Sequence, residues 1–198
     1  MPKTESESGM PSKKVPVGAY QIKVTLKGMK PSIWRRIVVP ADITLAGLHN
    51  VIQRAMGWQD CHLHEFVIDG SRYGCPVPED ADFNEDMINE ARVRLNKVAG
   101  PNAKFLYCYD FGDDWVHQIH IEREVASDGE RVARCLAGKN AGPPEDCGGP
   151  YGYAQLLAIL ADPEHEQHEE MLAWAGDDVD PQWFDAKQVD RLVSLMKI

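Results

Sequence analysis

The sequence predicts an α+β fold: a mixed, mainly antiparallel sheet with a β-hairpin–helix, β-grasp-like start, and C-terminal helices packed on it. Three observations carry this reading. Period-two alternation recurs in several short runs, a capped amphipathic helix follows the first two of them, and the remaining helical patterns gather at the C-terminus. Strands mostly first and helices mostly last is the order of an α+β domain, not of a doubly wound sheet. With 198 residues, 43% hydrophobic and 26% charged, the chain can bury one core. A single domain is expected over residues 17–198, ending in an acidic helical part, after a loose polar tail at 1–16.

In the first strand, Tyr20, Ile22, Val24 and Leu26 alternate with Gln21, Lys23, Thr25 and Lys27. Gly28, Pro31 and Ser32 turn the chain, and Ile33 to Val39 returns as the second strand. Thr44 can cap a helix whose apolar face is Leu45, Leu48, Ile52 and Ala55/Met56, with Gly57 as its stop. His62 to Ile68 alternates again, placing His62 and His64 on one face with Phe66 and Ile68, before an Asp69-Gly70 turn. Cys75 to Ala91 is acidic, contains proline, and reads as a long loop with at most one helical turn.

Phe105–Asp110 and Trp115–Glu124 form a hairpin around Phe111-Gly112-Asp113-Asp114. With Gly112-Asp113 as the two central residues of a type II′ turn, Asp110 pairs with Trp115 and Cys108 with His117. Asp128-Gly129 links to a short extended piece ending near Cys135, and Gly138–Gly152 is irregular. Three helices close the chain: Tyr153–Leu160, Glu164–Trp174, and one capped by Asp185 with an apolar face of Val189, Leu192, Val193 and Met196.

Charge and cysteine usage narrow the function classes. The formal net charge is −10, and it is uneven: ten basic and six acidic residues up to Cys75, then eleven basic and twenty-five acidic. Nucleic-acid binding is therefore not favoured, although Lys23, Lys27, Lys30, Arg35 and Arg36 form a basic front. No apolar run approaches a membrane span and no signal-peptide core is present, so no membrane partner is expected. Five cysteines without a C-x-x-C pair read as reduced thiols of a cytoplasmic protein. Nucleotide-binding glycine motifs and the G-x-S-x-G elbow are missing.

The densest polar cluster runs from Asp110 to His117. In the register above, Asp110, Cys108 and His117 share a face with Asp113 and Asp114 at the tip, and the Pro143–Gly149 loop adds Glu145 and Asp146. Carboxylates and an imidazole held together suit a divalent metal or acid–base chemistry. Turn formation by Asp113 and Asp114, with His117 a core side chain, accounts for the same residues. Cys135, Cys147, His62 and His64 are weaker metal candidates: the spacing of the cysteines matches no zinc pattern, and the two histidines, although a His-x-His on a strand can chelate, share a face with Phe66 and Ile68. His165 and His168 are three apart on an acidic helix, where a zinc-protease helix needs four.

Taken in order, Trp34-Arg35-Arg36, Leu48-His49, Met56-Gly57-Trp58, His62-Leu63-His64-Glu65-Phe66, Tyr109-Asp110-Phe111-Gly112-Asp113-Asp114-Trp115, Cys135-Leu136-Ala137-Gly138 and Pro143-Pro144-Glu145-Asp146-Cys147-Gly148-Gly149 resemble the plasmid pRi ORF-three-like family. The resemblance implies a protein associated with plasmids and mobile elements, some of whose relatives are labelled TnpR-like; it implies no catalytic residue. Serine-recombinase chemistry does not fit, since Ile22-Lys23-Val24-Thr25 has Thr where the nucleophilic Ser belongs. The expectation is a non-catalytic binding or accessory domain for a protein or small ligand. The alternative is a metal-dependent hydrolase using the Asp110–His117 hairpin and the Pro143–Gly149 loop.

Overall fold

The computed structural model describes residues 18–77, 85–127, 130–176 and 179–198. The expected tail at 1–16, the Asp128-Gly129 link and residues 78–84 of the expected loop lie outside them.

β1 (Ala19–Leu26) and β2 (Trp34–Pro40) form the antiparallel hairpin that their alternation predicts, with Ile22 opposite Ile37 and Tyr20 opposite Val39. Burying each such aliphatic side chain contributes about 1.5–3 kcal/mol. α1 (Leu45–Met56) follows; the Thr44 hydroxyl accepts the Gly47 N–H at 3.0 Å, and Gly57 ends the helix at φ 94°, where a Cβ would be strained. Its buried face is Leu45, Leu48, Val51, Ile52, Ala55 and Met56.

Next come β3 (His64–Ile68), β4 (Ser71–Gly74), β5 (Met87–Asn89), a 3-10 turn at Glu90–Arg92 and the short α2 (Leu95–Val98). Three more strands, β6 (Lys104–Tyr109), β7 (Trp115–Val125) and β8 (Arg134–Lys139), precede α3 (Gly149–Leu160), α4 (His168–Ala175) and α5 (Ala186–Ser194). All eight strands join one sheet in the order β5-β4-β3-β6-β7-β1-β2-β8, antiparallel throughout except for β4 with β5. Ile22, Ile37, Phe66, Tyr107, Tyr109 and Trp115 fill the core from the sheet, and Leu45, Leu48 and Ile52 fill it from α1. Among the described residues no helix is long and apolar enough to cross a membrane.

Several local expectations change. The Cys75–Ala91 segment holds β5 and the 3-10 turn, because three residues such as Met87–Asn89 are too short to show a period but can still pair with an exposed edge. β8 continues past Cys135 to Lys139 by pairing with β2. α3 starts at Gly149, four residues early, since Pro150 in a first helical turn forfeits no needed N–H. α4 begins only at His168, and Leu192 of α5 is exposed while Val189 and Val193 are buried. Asp185 caps α5 by accepting the Lys187 and Gln188 N–H groups.

Candidate functional site

The β6–β7 hairpin differs in register from the expected type II′ turn by one position. Tyr109 pairs with Trp115, Cys108 with Val116, and Tyr107 with His117, leaving a five-residue connection from Asp110 to Asp114. The left-handed residues are Asp110 (φ 57°) and Asp114 (φ 54°), not Gly112. Asp110 meets that conformation by accepting the Gly112 and Asp113 N–H groups on Oδ1, at 2.9 and 3.3 Å. Because side chains alternate, the one-residue shift puts Cys108 on the face opposite His117. Cys108 instead donates to Asp114 Oδ1 at 3.4 Å, and burial followed by Asp114 raises its thiol to about 12.

With Oδ1 occupied, Asp110 turns Oδ2 towards His62, which precedes β3 and so does not share the strand face of His64, Phe66 and Ile68. His62 Nε2 lies 3.6 Å from Asp110 Oδ2 and 3.0 Å from Asp146 Oδ1. Neither approach has hydrogen-bond geometry, so this buried nitrogen is without a hydrogen bond. One donor atom from each of the three residues lies within 4.8 Å of the others. The Asp110 side chain is 11% exposed and that of Asp146 72%, so the trio opens outward on one side. Beside Asp146 is a cavity of about 330 Å³, lined by Cys147, Gln155, Met171 and Trp174 among others.

Close approaches hold the Asp146 loop against the hairpin and against the end of α1. A Cβ on Gly142 would run into the Met56 carbonyl, and one on Gly149 into the Asp113 carbonyl. Trp58 Nε1 donates to the Pro143 carbonyl at 2.9 Å. Glu145 Oε1 accepts from the Gln59 N–H at 2.9 Å and the Tyr109 hydroxyl at 3.0 Å. Asp113 Oδ2 accepts from the Gly148 N–H at 3.1 Å.

Of the six hairpin and loop candidates, then, Asp110 and Asp146 converge, joined by His62. Asp113, Asp114 and Glu145 are engaged in loop contacts. His117 is fully buried between Tyr107 and Trp58, its ring centroid 5.3 and 5.2 Å from theirs. Burial lowers its pKa to about 4; the Tyr107 and Trp115 carbonyls oppose this without reaching hydrogen-bond geometry. Cys135 donates to the Ala137 carbonyl, and burial raises the Cys135 and Cys147 thiols to about 11 and 12, which disfavours thiolate ligation. Neither joins a three-ligand cluster among the described residues.

A second cluster joins His64, a weaker metal candidate from the sequence, to His49, Asp60 and Glu90, which the sequence reading passed over. His49 of α1 stacks on His64 of β3, with ring centroids 3.4 Å apart and planes 5° from parallel. His49 Nε2 is 2.9 Å from Asp60 Oδ1, and His64 Nε2 is 3.1 Å from each oxygen of Glu90. The available signal was His49 and Gln53, polar residues four apart on a helix whose neighbouring positions are core.

The family described as plasmid pRiA4b ORF-3-like protein matches residues 18–188. The chain belongs to this family. It is 44% identical over 158 residues, covering 79% of this chain and 80% of the relative, to the uncharacterized protein y4hQ of Sinorhizobium fredii (strain NBRC 101917 / NGR234). It also resembles the crystal structure of MM3350, a protein of unknown function from Methanosarcina mazei Go1, with 38% identity and a TM-score of 0.78 over 86% of this chain and 97% of that one. Membership in the plasmid pRiA4b ORF-3-like family therefore carries fold and motif order across, while chemistry has to be argued from the site.

Proposed function

We propose that this member of the plasmid family is a divalent-cation-dependent binding domain, with the cation held by His62, Asp110 and Asp146. The observation that carries the proposal is His62 Nε2: a buried nitrogen, unbonded, with carboxylate oxygens at 3.0 and 3.6 Å. Cis ligands of an octahedral hard cation sit about 3 Å apart, given metal–oxygen distances of about 2.0–2.2 Å. Two carboxylates and one imidazole, open to solvent on the Asp146 side, suit Mg²⁺ or Mn²⁺ that keeps several waters. Those waters are the exchangeable positions through which an oxygen-rich small ligand in the adjoining cavity, or a carboxylate of a protein partner, binds.

Binding is favoured over the hydrolase alternative by how the other candidates are occupied. A metal-dependent hydrolase needs a base or acid free beside the cation. Glu145 already accepts from Gln59 and Tyr109, Asp113 from Gly148, and His117 is enclosed. The free thiols of all five cysteines support a reducing, cytoplasmic setting, and the acidic C-terminal part supports ligands other than nucleic acid.

Mn²⁺ titration followed by electron paramagnetic resonance tests this. The wild-type chain should bind Mn²⁺, and His62→Ala and Asp146→Asn should each weaken binding at least about 10-fold, as the loss of one ligand from a small set implies. Equal Mn²⁺ affinity in both variants and the wild type would sink the proposal.

A further inference from the structure

We infer that the cavity between the end of α1, α5 and the 141–144 loop binds a small aromatic carboxylate, anchored by the buried Arg35. The inference stands apart from the His62 cluster, none of whose residues line this cavity.

Arg35 of β2 carries a charge that the fold leaves unbalanced. It is 2% exposed, and no carboxylate pairs with it among the described residues. Arg36, Arg72, Arg94, Arg131 and Arg134, whose side chains are all at least 32% exposed, each have a carboxylate partner. A buried cation without a counter-charge is costly, and an anionic ligand relieves that cost. Burial lowers the Arg35 pKa to about 10. A Cys135 thiolate would oppose this, but burial raises that thiol to about 11, so it is neutral at pH 7.

The donors of Arg35 show where the ligand attaches. A guanidinium has five N–H groups. Nε donates to the Ala55 carbonyl at 2.8 Å, and Nη1 to the Trp34 and Lys139 carbonyls at 2.9 and 3.1 Å. These bonds fix the group between α1, β2 and β8. The Phe184 ring covers one face, with Cζ 4.4 Å from the ring centroid. Nη2 has no partner among the described residues. Nor is it sealed off: the enclosed, unbonded side-chain nitrogens of the described residues belong to His62, Trp115 and His117, and Arg35 lines the cavity.

The cavity has a volume of about 310 Å³, at the small end of the roughly 300–1,000 Å³ of ligand sites. Met56, Pro143, Pro144, Trp183, Phe184 and Leu192 supply apolar and aromatic walls suited to a ring. Arg54 is a second cation there, and no Asp or Glu lines the space. In a chain of net charge −10, such a cavity attracts anions locally. A carboxylate fits better than a phosphate. One free nitrogen serves one carboxylate oxygen and Arg54 the other, whereas a phosphate brings three charged oxygens to the same two groups. The walls are in place beforehand: Trp58 Nε1 donates to the Pro143 carbonyl, and Gly142 abuts the Met56 carbonyl. Little ordering cost therefore opposes binding.

The test titrates the full chain with 2-naphthoate by calorimetry, in chelator so that no divalent cation takes part. Neutral 2-naphthamide and inorganic phosphate are run beside it. 2-Naphthoate should bind once per chain, at least about 10-fold tighter than either, as one charge-assisted hydrogen bond implies. Leu192→Trp fills the cavity from an exposed position, and Arg54→Glu reverses an exposed charge beside it; each should weaken binding about 10-fold. Lys104→Glu makes the same charge change away from the cavity and should stay within about 2-fold. His62→Ala should leave naphthoate binding unchanged, which keeps this site separate from the cation site. Arg35→Gln, if circular dichroism shows it folded, should lose the preference for naphthoate over naphthamide; if it is unfolded, Leu192→Trp and Arg54→Glu decide. No saturable naphthoate binding, equal affinity for naphthamide, tighter phosphate binding, or full affinity in Leu192→Trp would each overturn the inference.

Discussion

The two histidine–carboxylate clusters lie on either side of one stretch of chain and differ mainly in water. Asp60 and His64 serve the inner cluster, and His62 between them serves the outer one. The inner cluster is mostly closed: His49, His64 and Glu90 are all less than 9% exposed, and Asp60 alone among its members reaches solvent. In the outer one, Asp146 is largely in solvent. The same side-chain types therefore have different chemistry. Burial lowers the His49 pKa to about 4, with the neighbouring His64 adding to the shift and Asp60 and Glu90 opposing it. Enclosure keeps the inner groups paired with one another; exposure leaves the outer carboxylate free to exchange partners with solvent.

The comparison is most easily broken by stability. Glu90→Ala should cost about 3–5 kcal/mol, because it strips a buried histidine of its partner, whereas Asp146→Ala should stay within about 0.5 kcal/mol. Denaturant melts of the metal-free chain would measure both. Equal costs would mean that burial does not separate the clusters.

Acid pH sharpens the contrast. His49 and His117 both have folded pKa values lowered to about 4, below the 6.5 of an unperturbed histidine. The unfolded chain thus takes up protons first as pH falls. Their stabilising contribution is complete above about 6.5 and is lost between there and about 4, on the order of 3 kcal/mol for each residue. Stability measured across that window should fall steadily. His117→Phe should flatten the fall by about half and cost little at neutral pH, since neither ring nitrogen has a hydrogen bond to lose. An unchanged slope in His117→Phe would remove that histidine from the account.

The smallest effects probe the outer loops. Gly149 has φ 68° and abuts the Asp113 carbonyl, so Gly149→Ala should cost about 1–3 kcal/mol and weaken Mn²⁺ binding by displacing the Asp146 loop. Gly112 has no left-handed requirement and meets only the Asp110 carboxylate, so Gly112→Ala should change thermal stability by about 0.5 kcal/mol or less. The reverse ranking would restore the turn read from sequence.

How much was legible follows from how local each signal is. The β1–β2 hairpin, the Thr44 cap with the Gly57 stop, and the Asp185 cap all depend on residues within a few positions of each other, and the structure contains each of them. The sequence alone therefore determined the α+β class and the family motifs. It also pointed to Asp110 in its densest polar run and to Asp146 in the Pro143–Gly149 loop, and more weakly to His62 and His64. Tertiary structure decided the rest. Asp110 rather than Gly112 took the left-handed turn position once its carboxylate capped two N–H groups, and that moved the register by one residue. His49, Asp60 and Glu90 sit in unrelated local patterns and meet only because α1, the chain after it and the 3-10 turn converge beside β3. Local periodicity records which face of an element avoids water; it holds no record of which distant polar groups that face will enclose.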